Sequence, residues 1–163
     1  MPLLAEQPGR KIYAADYSPD MLEVVKQTCD QALVQKIELF QSSAFDIQLP
    51  DRSVDCIFSM RLMHHIGTPE NRIQMLREFY RVSADTVCVS LWVDGNRQAR
   101  RREKLEKKRE AIDPEKYNQN RFVISGTQIE QEFDDAGFAV LGHFDFLKYI
   151  SMWRIYVLKK QTN

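Results

Sequence analysis

The chain has 163 residues, of which 44% are hydrophobic and 28% charged, a composition typical of a globular protein with a buried core. Lysine and arginine balance aspartate and glutamate at 23 each, so no overall field favours nucleic acid or an anionic membrane. The three cysteines include no Cys-x-x-Cys pair, and no apolar run approaches the roughly 20 residues that span a bilayer. We therefore expect no disulfide framework, metal site, nucleic-acid partner or membrane partner. The N-terminus lacks the basic region of a signal peptide, which predicts a cytoplasmic location.

The first clear pattern is a short apolar segment that ends in an acid and passes directly into a helix. Residues 12–15 are apolar, Asp16 follows them, and Ser18 and Pro19 suit the N-cap and the first position of a helix. In doubly wound α/β proteins an acid at the carboxyl edge of the sheet commonly holds the hydroxyls of a ribose. Asp16 is therefore a candidate ribose ligand, and the alternative is an acid that only supports the turn.

The next segments alternate between strand and helix patterns. The helix that follows Pro19 has an apolar stripe over residues 21–29 that we expect to face the sheet. A second helix begins at Thr68-Pro69, and strands are predicted at residues 36–40, 54–60 and 86–93. This order predicts an α/β fold with a parallel sheet that helices cover on both faces.

Residues 94–120 have a different character, because charged side chains dominate them. One interpretation is a solvated helix held by charge pairs three and four residues apart. The other is a mobile cap whose arginines, Arg100 and Arg101 among them, contact an anionic substrate. The absence of interleaved aromatic residues makes a nucleic-acid groove the weaker interpretation of this basic segment.

The C-terminal part regains regular patterns. Ser125-x-x-Gln128 is a capping box that predicts a third helix, which Gly137 would end. Residues 138–147 and 152–159 are rich in aromatic residues and predict an antiparallel hairpin. The sequence thus predicts a single domain over residues 1–163, with a charged insertion at about 94–120.

Several stretches resemble the class I S-adenosylmethionine-dependent methyltransferases, in particular the small-molecule type 11 group. The family's second-strand motif is similar to IYAADYSPDML (residues 12–22), and its adenine loop and fourth strand are similar to SSAFDIQLPDRSVDCIFSMRLMHHI (residues 42–66). EFDDAGF and the closing WRIYVLKK match its C-terminal part. The resemblance implies a Rossmann-like, mostly parallel sheet with helices on both faces and a C-terminal antiparallel hairpin.

The resemblance also implies roles for individual residues, with S-adenosylmethionine as the cofactor and a small molecule as the methyl acceptor. Asp16 would hold the ribose. The other implied cofactor contacts are Tyr17, Ala44, Phe45, Asp46, Ser59 and Met60. The acceptor would enter beside Arg61, His64 and His65, and either histidine would serve as a general base for an acceptor that must lose a proton. The family's adenine-binding acid aligns with Ser43, so neighbouring Asp46 is a candidate substitute.

The family's first strand and its glycine-rich loop have no counterpart, since no Gly-x-Gly occurs among the six glycines. We therefore expect a truncated family member whose cofactor site is incomplete and whose methyl transfer is impaired. The missing strand would leave two sheet edges unpaired, which predicts a homodimer through an exposed edge. Two alternatives stay open, a noncatalytic relative that binds a partner and a nicotinamide-dependent oxidoreductase, whose ribose a strand-end acid also binds.

Overall fold

The computed structural model describes residue 6, residues 9–115 and residues 117–161. The strands are β1 Ile12–Asp16, β2 Ile37–Gln41, β3 Val54–Ser59, β4 Ser83–Trp92, β5 Phe138–Asp145 and β6 Trp153–Lys160. The helices are α1 Pro19–Thr28, α2 Gln31–Val34, α3 Pro69–Val82, α4 Arg97–Ile112 and α5 Gly126–Asp135, with a 3₁₀ turn at Met63–His65. None of the described helices combines the length and the apolar character that crossing a bilayer requires.

The strands form two sheets, and their arrangement confirms the predicted fold class. β1 and β2 are parallel, whereas the second sheet has the order β3-β4-β6-β5. There β3 and β4 are parallel, and β6 is antiparallel to both β4 and β5, which makes β5 and β6 the expected C-terminal hairpin. Within the described residues, β1 pairs with no strand but β2, and β3 pairs with no strand but β4.

The described residues divide into two compact units, one up to Gln48 and one from Leu49 onward. In the first unit α1 packs on β1 and β2, but none of its residues is fully buried, and Met21 and Val24 are exposed. The expectation that the whole α1 stripe faces the sheet therefore holds only for the partly buried Leu22, Val25 and Cys29. The physical reason is that a two-stranded sheet offers too little apolar surface to cover the stripe.

The second unit contains most of the core. Buried apolar side chains from α3, α5 and the four-stranded sheet form it, including Met75, Leu76, Phe133, Val87 and Tyr156. Both helices begin where the sequence predicts, because Thr68 accepts a hydrogen bond from the Asn71 N–H and Ser125 occupies the N-cap of α5.

The ends of α5 show one difference from the sequence prediction. The capping-box bonds are not formed, since the Ser125 hydroxyl bonds the Thr127 hydroxyl at 2.9 Å and the Gln128 amide donates to Glu132 at 3.1 Å. Gly137 follows α5 at φ +89°, the left-handed conformation that the C-cap prediction requires.

A buried ion pair joins α3 to α5 and holds the loop that follows the two histidines. The Arg72 guanidinium donates two hydrogen bonds to the Glu132 carboxylate, at 2.7 and 2.6 Å. Its Nη1 also donates to the carbonyls of Ile66 and Gly67, each at 3.0 Å. The position of the loop after β3 thus depends on a contact between residues that are distant in the sequence.

The charged segment contains the helix α4, as the solvated-helix interpretation predicts. Asn96 caps it by accepting a bond from the Ala99 N–H at 2.8 Å. The Glu106 carboxylate is paired with Arg102 at 2.6 Å and with Arg109 at 3.2 Å, spacings of four and three residues. After α4 the chain returns to the sheet at Ile124, which forms a parallel bridge with Val93.

Candidate functional site

The first group of predicted cofactor residues lies at the carboxyl edge of the β1–β2 sheet. Asp16 ends β1, and its Oδ1 accepts a hydrogen bond from the Ser18 N–H at 2.8 Å. The carboxylate thus supports the turn, and no hydrogen bond from a described residue reaches its second oxygen, Oδ2. Tyr17 is 76% exposed, and its carbonyl accepts a bond from the Gln41 side chain at 3.0 Å. Asp16 and Tyr17 therefore present an available carboxylate oxygen and an exposed aromatic ring at this edge.

The loop after β2 carries the predicted adenine-side residues and lies at the same edge. The buried Ser42 hydroxyl donates to the Asp46 carbonyl at 3.2 Å, and the Ser43 Oγ accepts from the Phe45 N–H at 3.1 Å. Ala44 and Phe45 are partly buried and Asp46 is exposed. The Ser43 hydroxyl, at the position where the resemblance expects an acid, is thus engaged within the turn.

The second group lies in the other unit, where β3 ends. Ser59 is buried, and its hydroxyl has no hydrogen-bond partner in the described part of the chain. Met60 is exposed, and Arg61 has a φ of +65°, which is uncommon for a residue with a side chain. The Arg61 N–H donates to the Ser90 Oγ of β4 at 2.7 Å, which holds this turn against the neighbouring strand.

The two histidines lie in the 3₁₀ turn that follows, on an aromatic cluster. The His64 ring stacks on Trp92 with 4.5 Å between ring centroids, and it meets Trp153 edge-on at 5.0 Å. His65 lies 4.2 Å from His64. The cluster therefore combines Trp92 from the carboxyl end of β4 with Trp153 at the start of β6. The sequence alone gives neither tryptophan a site role.

His64 is buried, with 3% of its surface exposed, and its Nδ1 has no partner among the described residues. Burial, and to a smaller extent the nearby cationic groups His65, Arg121 and Arg61, together lower the pKa of His64 to about 4. His64 is consequently a neutral imidazole near pH 7.

His65 is exposed and has a different environment. Its Nδ1 lies 2.9 Å from the Asn120 carbonyl oxygen, and the carbonyl can only accept, so Nδ1 carries the hydrogen. In the neutral ring this arrangement leaves the lone pair on Nε2. The neighbouring Phe122 N–H donates to the His64 carbonyl at 2.8 Å, so the segment after α4 fixes both histidines. The sequence alone gives Asn120 no role in the site.

Two arginines contact the aromatic cluster. The guanidinium of Arg61 lies 5.7 Å from the Trp153 ring centroid, and that of Arg102 lies 5.4 Å from the Trp92 ring centroid. Arg102 belongs to the charged segment whose arginines the cap interpretation directs to an anionic substrate, whereas Arg100 and Arg101 of the same segment lie on an exposed face of α4. The helical period places Arg102 on the same side as the buried Ala99 and Glu106, and this is the signal that distinguishes it from Arg100 and Arg101.

A polar cavity of about 240 Å³ lies between α4 and the segment that holds His65. Its lining includes Arg102, Glu106 and Arg109 from α4, together with Tyr117 and Asn120. The Tyr117 hydroxyl donates to Glu106 at 2.9 Å, so the lining is a network of paired charges. Among the described residues, no group of three histidine, cysteine or acidic side chains is arranged to hold a metal ion.

Comparison with known protein families gives one match. The family described as "Methyltransferase domain", of type 11, matches residues 1–89. This range includes every predicted cofactor residue as well as Arg61, His64 and His65. No curated protein matches the sequence.

Solved structures give further similarities. The magnesium protoporphyrin IX methyltransferase of Synechocystis PCC 6803, solved with bound SAH, superposes with a TM-score of 0.73 at 15% identity, over 98% of this chain and 68% of that chain. An SAM-dependent methyltransferase of Methanosarcina mazei gives 0.73 at 13% identity, over 99% and 86%. A chain of the complex between the Haloferax volcanii Trm112 methyltransferase activator and a methyltransferase gives 0.68 at 15%, over 99% and 77%. At these identities the likeness concerns the fold.

Proposed function

This chain belongs to the methyltransferase domain family, and on that premise we propose that it transfers a methyl group from S-adenosylmethionine to a small-molecule acceptor that carries an anionic group. The observation that supports the acceptor class is the cluster at the carboxyl ends of β3 and β4. There the exposed Arg61 lies over the partly exposed Trp153 ring, which provides apolar surface, and the exposed His65 lies beside His64, whose ring stacks on the buried Trp92. A planar or apolar acceptor with a carboxylate or phosphate suits such a surface.

Several features of the chain fit the cofactor. Asp16 keeps the Oδ2 oxygen available for a ribose hydroxyl, and the exposed Tyr17 ring can lie against adenine. Since no Gly-x-Gly occurs in these 163 residues, we expect the affinity to be lower than with a glycine-rich loop, which lets a backbone approach the cofactor closely.

The chain's own part in the reaction is to position the acceptor and to receive its proton. When bound, S-adenosylmethionine supplies an electrophilic methyl group. Arg61 would bind the anionic group of the acceptor, and the tryptophan cluster would orient its apolar part. For an acceptor with a hydroxyl or ammonium group, His65 Nε2 is the general base, because its Nδ1–H is already directed to the Asn120 carbonyl. His64, with its lowered pKa, is a weak base, and we assign it to positioning.

A noncatalytic role is the second candidate, and the observation that favours it is Ser43. Its hydroxyl is engaged with the Phe45 N–H where the resemblance expects an acid for adenine. Such a relative would keep the fold to bind another protein, as the Haloferax volcanii methyltransferase is seen with an activator. Membership in the methyltransferase domain family removes the support for a nicotinamide-dependent oxidoreductase.

Calorimetric titration of S-adenosylhomocysteine into the 163-residue chain tests the proposal. We expect binding that Asp16→Ala abolishes and that Asp20→Ala, a matched change of an exposed acid in α1, leaves intact. Equal binding by both variants would contradict the role of Asp16. An absence of binding in the unchanged chain would favour the noncatalytic candidate, and a screen of anionic acceptors would follow a positive result.

A further inference from the structure

One face of α4 is strongly basic although the whole chain has no net charge. Successive helical residues are about 100° apart, and six cations of α4 fall within an arc of about 120°. These six residues, which we call the basic face, are Arg97, Arg100, Arg101, Lys104, Lys107 and Lys108. All six are exposed, and no acid among the described residues pairs with any of them. The three glutamates of α4, by contrast, lie outside this arc, and Glu106 is already engaged by Arg102 and Arg109.

The end of β5 and its connection to β6 present exposed apolar side chains, which we call the apolar tip: Phe144, Phe146, Leu147, Tyr149 and Ile150. Phe146 is 78% exposed and Tyr149 is 73% exposed, and the other three are more than half exposed. Lys148 lies among them and is also exposed. Contiguous exposed apolar groups of this kind mark an interaction surface in an otherwise well-packed protein.

The basic face and the apolar tip are parts of one surface. The Arg97 N–H donates to the Tyr149 carbonyl and the Gln98 N–H donates to the Ile150 carbonyl, each at 3.0 Å. The Gln98 side chain also accepts a bond from the Met152 N–H at 3.3 Å. The first turn of α4 is thereby fixed to the tip, so the cations begin where the apolar groups end. Exposed Leu105 and Ile112 extend the apolar border along the helix.

We propose that this surface binds reversibly to an anionic lipid membrane. The apolar tip would enter the boundary between head groups and acyl chains, while the basic face would contact anionic head groups. The inference goes beyond the proposed methyl transfer and does not depend on it. It also departs from the expectation drawn from the net charge, because the balanced total conceals a local separation of charge.

Two other partners fit this surface less well. Although Phe146 and Tyr149 can stack on nucleic-acid bases, the aliphatic Leu147, Ile150 and Ile112 cannot, whereas all five suit a hydrocarbon boundary. A second copy of the chain joined across this surface would bring two basic faces together, and like charges oppose that contact. An anionic bilayer satisfies both the charge and the apolar groups.

Sedimentation of the full chain with lipid vesicles tests the proposal. We expect binding to phosphatidylcholine vesicles that contain about 30% phosphatidylserine, little binding to pure phosphatidylcholine, and a loss of binding as salt rises. Binding that is equal for both vesicle types, or absent from the anionic vesicles, would overturn the proposal. Two further outcomes would overturn the proposal if the vesicles are not bound. One is binding to single-stranded RNA that depends on the basic face, and the other is self-association in sedimentation velocity with the same dependence.

Variants assign the binding to this surface. The triple variant Arg100→Glu, Arg101→Glu and Lys104→Glu should weaken vesicle binding by about 100-fold or more, since each cation near an anionic surface contributes about fivefold. A control triple variant carries Arg10→Glu, Lys36→Glu and Arg77→Glu, which change the net charge equally at exposed cations outside the surface. Its affinity for the anionic vesicles should be within about threefold of that of the unchanged chain. Phe146→Ser with Tyr149→Ser should reduce binding even at low salt. Circular dichroism confirms that each variant is folded, and equal weakening by both triple variants would overturn the assignment.

Discussion

At the scale of single residues, His64 links the site to stability through its buried imidazole. Its pKa is about 4 in the folded chain and 6.5 for an ordinary histidine, so the unfolded chain takes up the proton first as pH falls. The contribution of His64 to the free energy of unfolding is therefore complete above pH 6.5, decreases as pH falls below 6.5, and is lost once pH has fallen through 4. We expect the free energy of unfolding to drop by about 3 kcal/mol from this cause between pH 7 and pH 4. Urea unfolding of the chain and of His64→Phe checks it, and the same pH dependence in both would contradict it.

His65 carries the corresponding prediction for catalysis. With Nδ1–H bound to the Asn120 carbonyl, the available lone pair is on Nε2, and glutamine cannot replace it as a base. Once an acceptor with a hydroxyl or ammonium group is identified, His65→Gln should lower kcat by about 100-fold or more. Binding of S-adenosylhomocysteine should be unchanged, as calorimetry would show. A variant with normal kcat would remove His65 from the mechanism, and His64→Gln provides the comparison.

At the scale of secondary-structure elements, we expect the contact between Arg72 and Glu132, which joins α3 to α5, to make the largest contribution to stability. Both side chains are almost fully buried, and Arg72 also binds the two carbonyls of the loop after the histidines. Arg72→Ala would leave a buried carboxylate without its partner, so we expect a loss of about 3–5 kcal/mol in the free energy of unfolding. Lys26→Ala removes an exposed pair with Glu23 and should cost less than about 1 kcal/mol. Similar losses in the free energy of unfolding for the two variants, measured by urea unfolding, would show that the buried pair contributes no more to stability than the exposed pair.

The secondary-structure elements also show how much of the structure can be predicted from the sequence. The starts of α3 and α5 could be predicted because Thr68, Ser125 and the helical period are local signals. The tie between Arg72 and Glu132 could not, because it joins residues sixty positions apart and no periodicity marks it. The site shows the same contrast. His64 and His65 were predicted from the motif resemblance, whereas the contacts that Asn120, Trp153 and Arg102 make around them depend on the path of the chain after β4. Charge patterning predicted α4 but gave no indication that its basic face adjoins the apolar tip.

At the scale of the whole molecule, the edges of the sheets determine the expected association. In the described residues β3 pairs only with β4, and this edge strand carries the exposed Phe58. An unpaired strand edge with an exposed apolar side chain favours pairing with another chain. We therefore expect a homodimer through β3, with a monomer fraction that rises on dilution in sedimentation velocity.

A charged side chain on the pairing strand should block that association. Phe58→Lys adds charge to the free edge of β3 and should shift the equilibrium toward monomer by tenfold or more, because Lys is a natural device against edge pairing. Leu141→Lys is the matched control, since Leu141 is an apolar residue of similar exposure on β5, the strand at the opposite end of the same sheet. A dimer that Leu141→Lys dissociates and Phe58→Lys does not would place the contact on β5. A chain that is monomeric at all concentrations would show that the free edge of β3 is not an association surface. The charged helix α4 would then be the surface on which we expect the molecule to contact its partners.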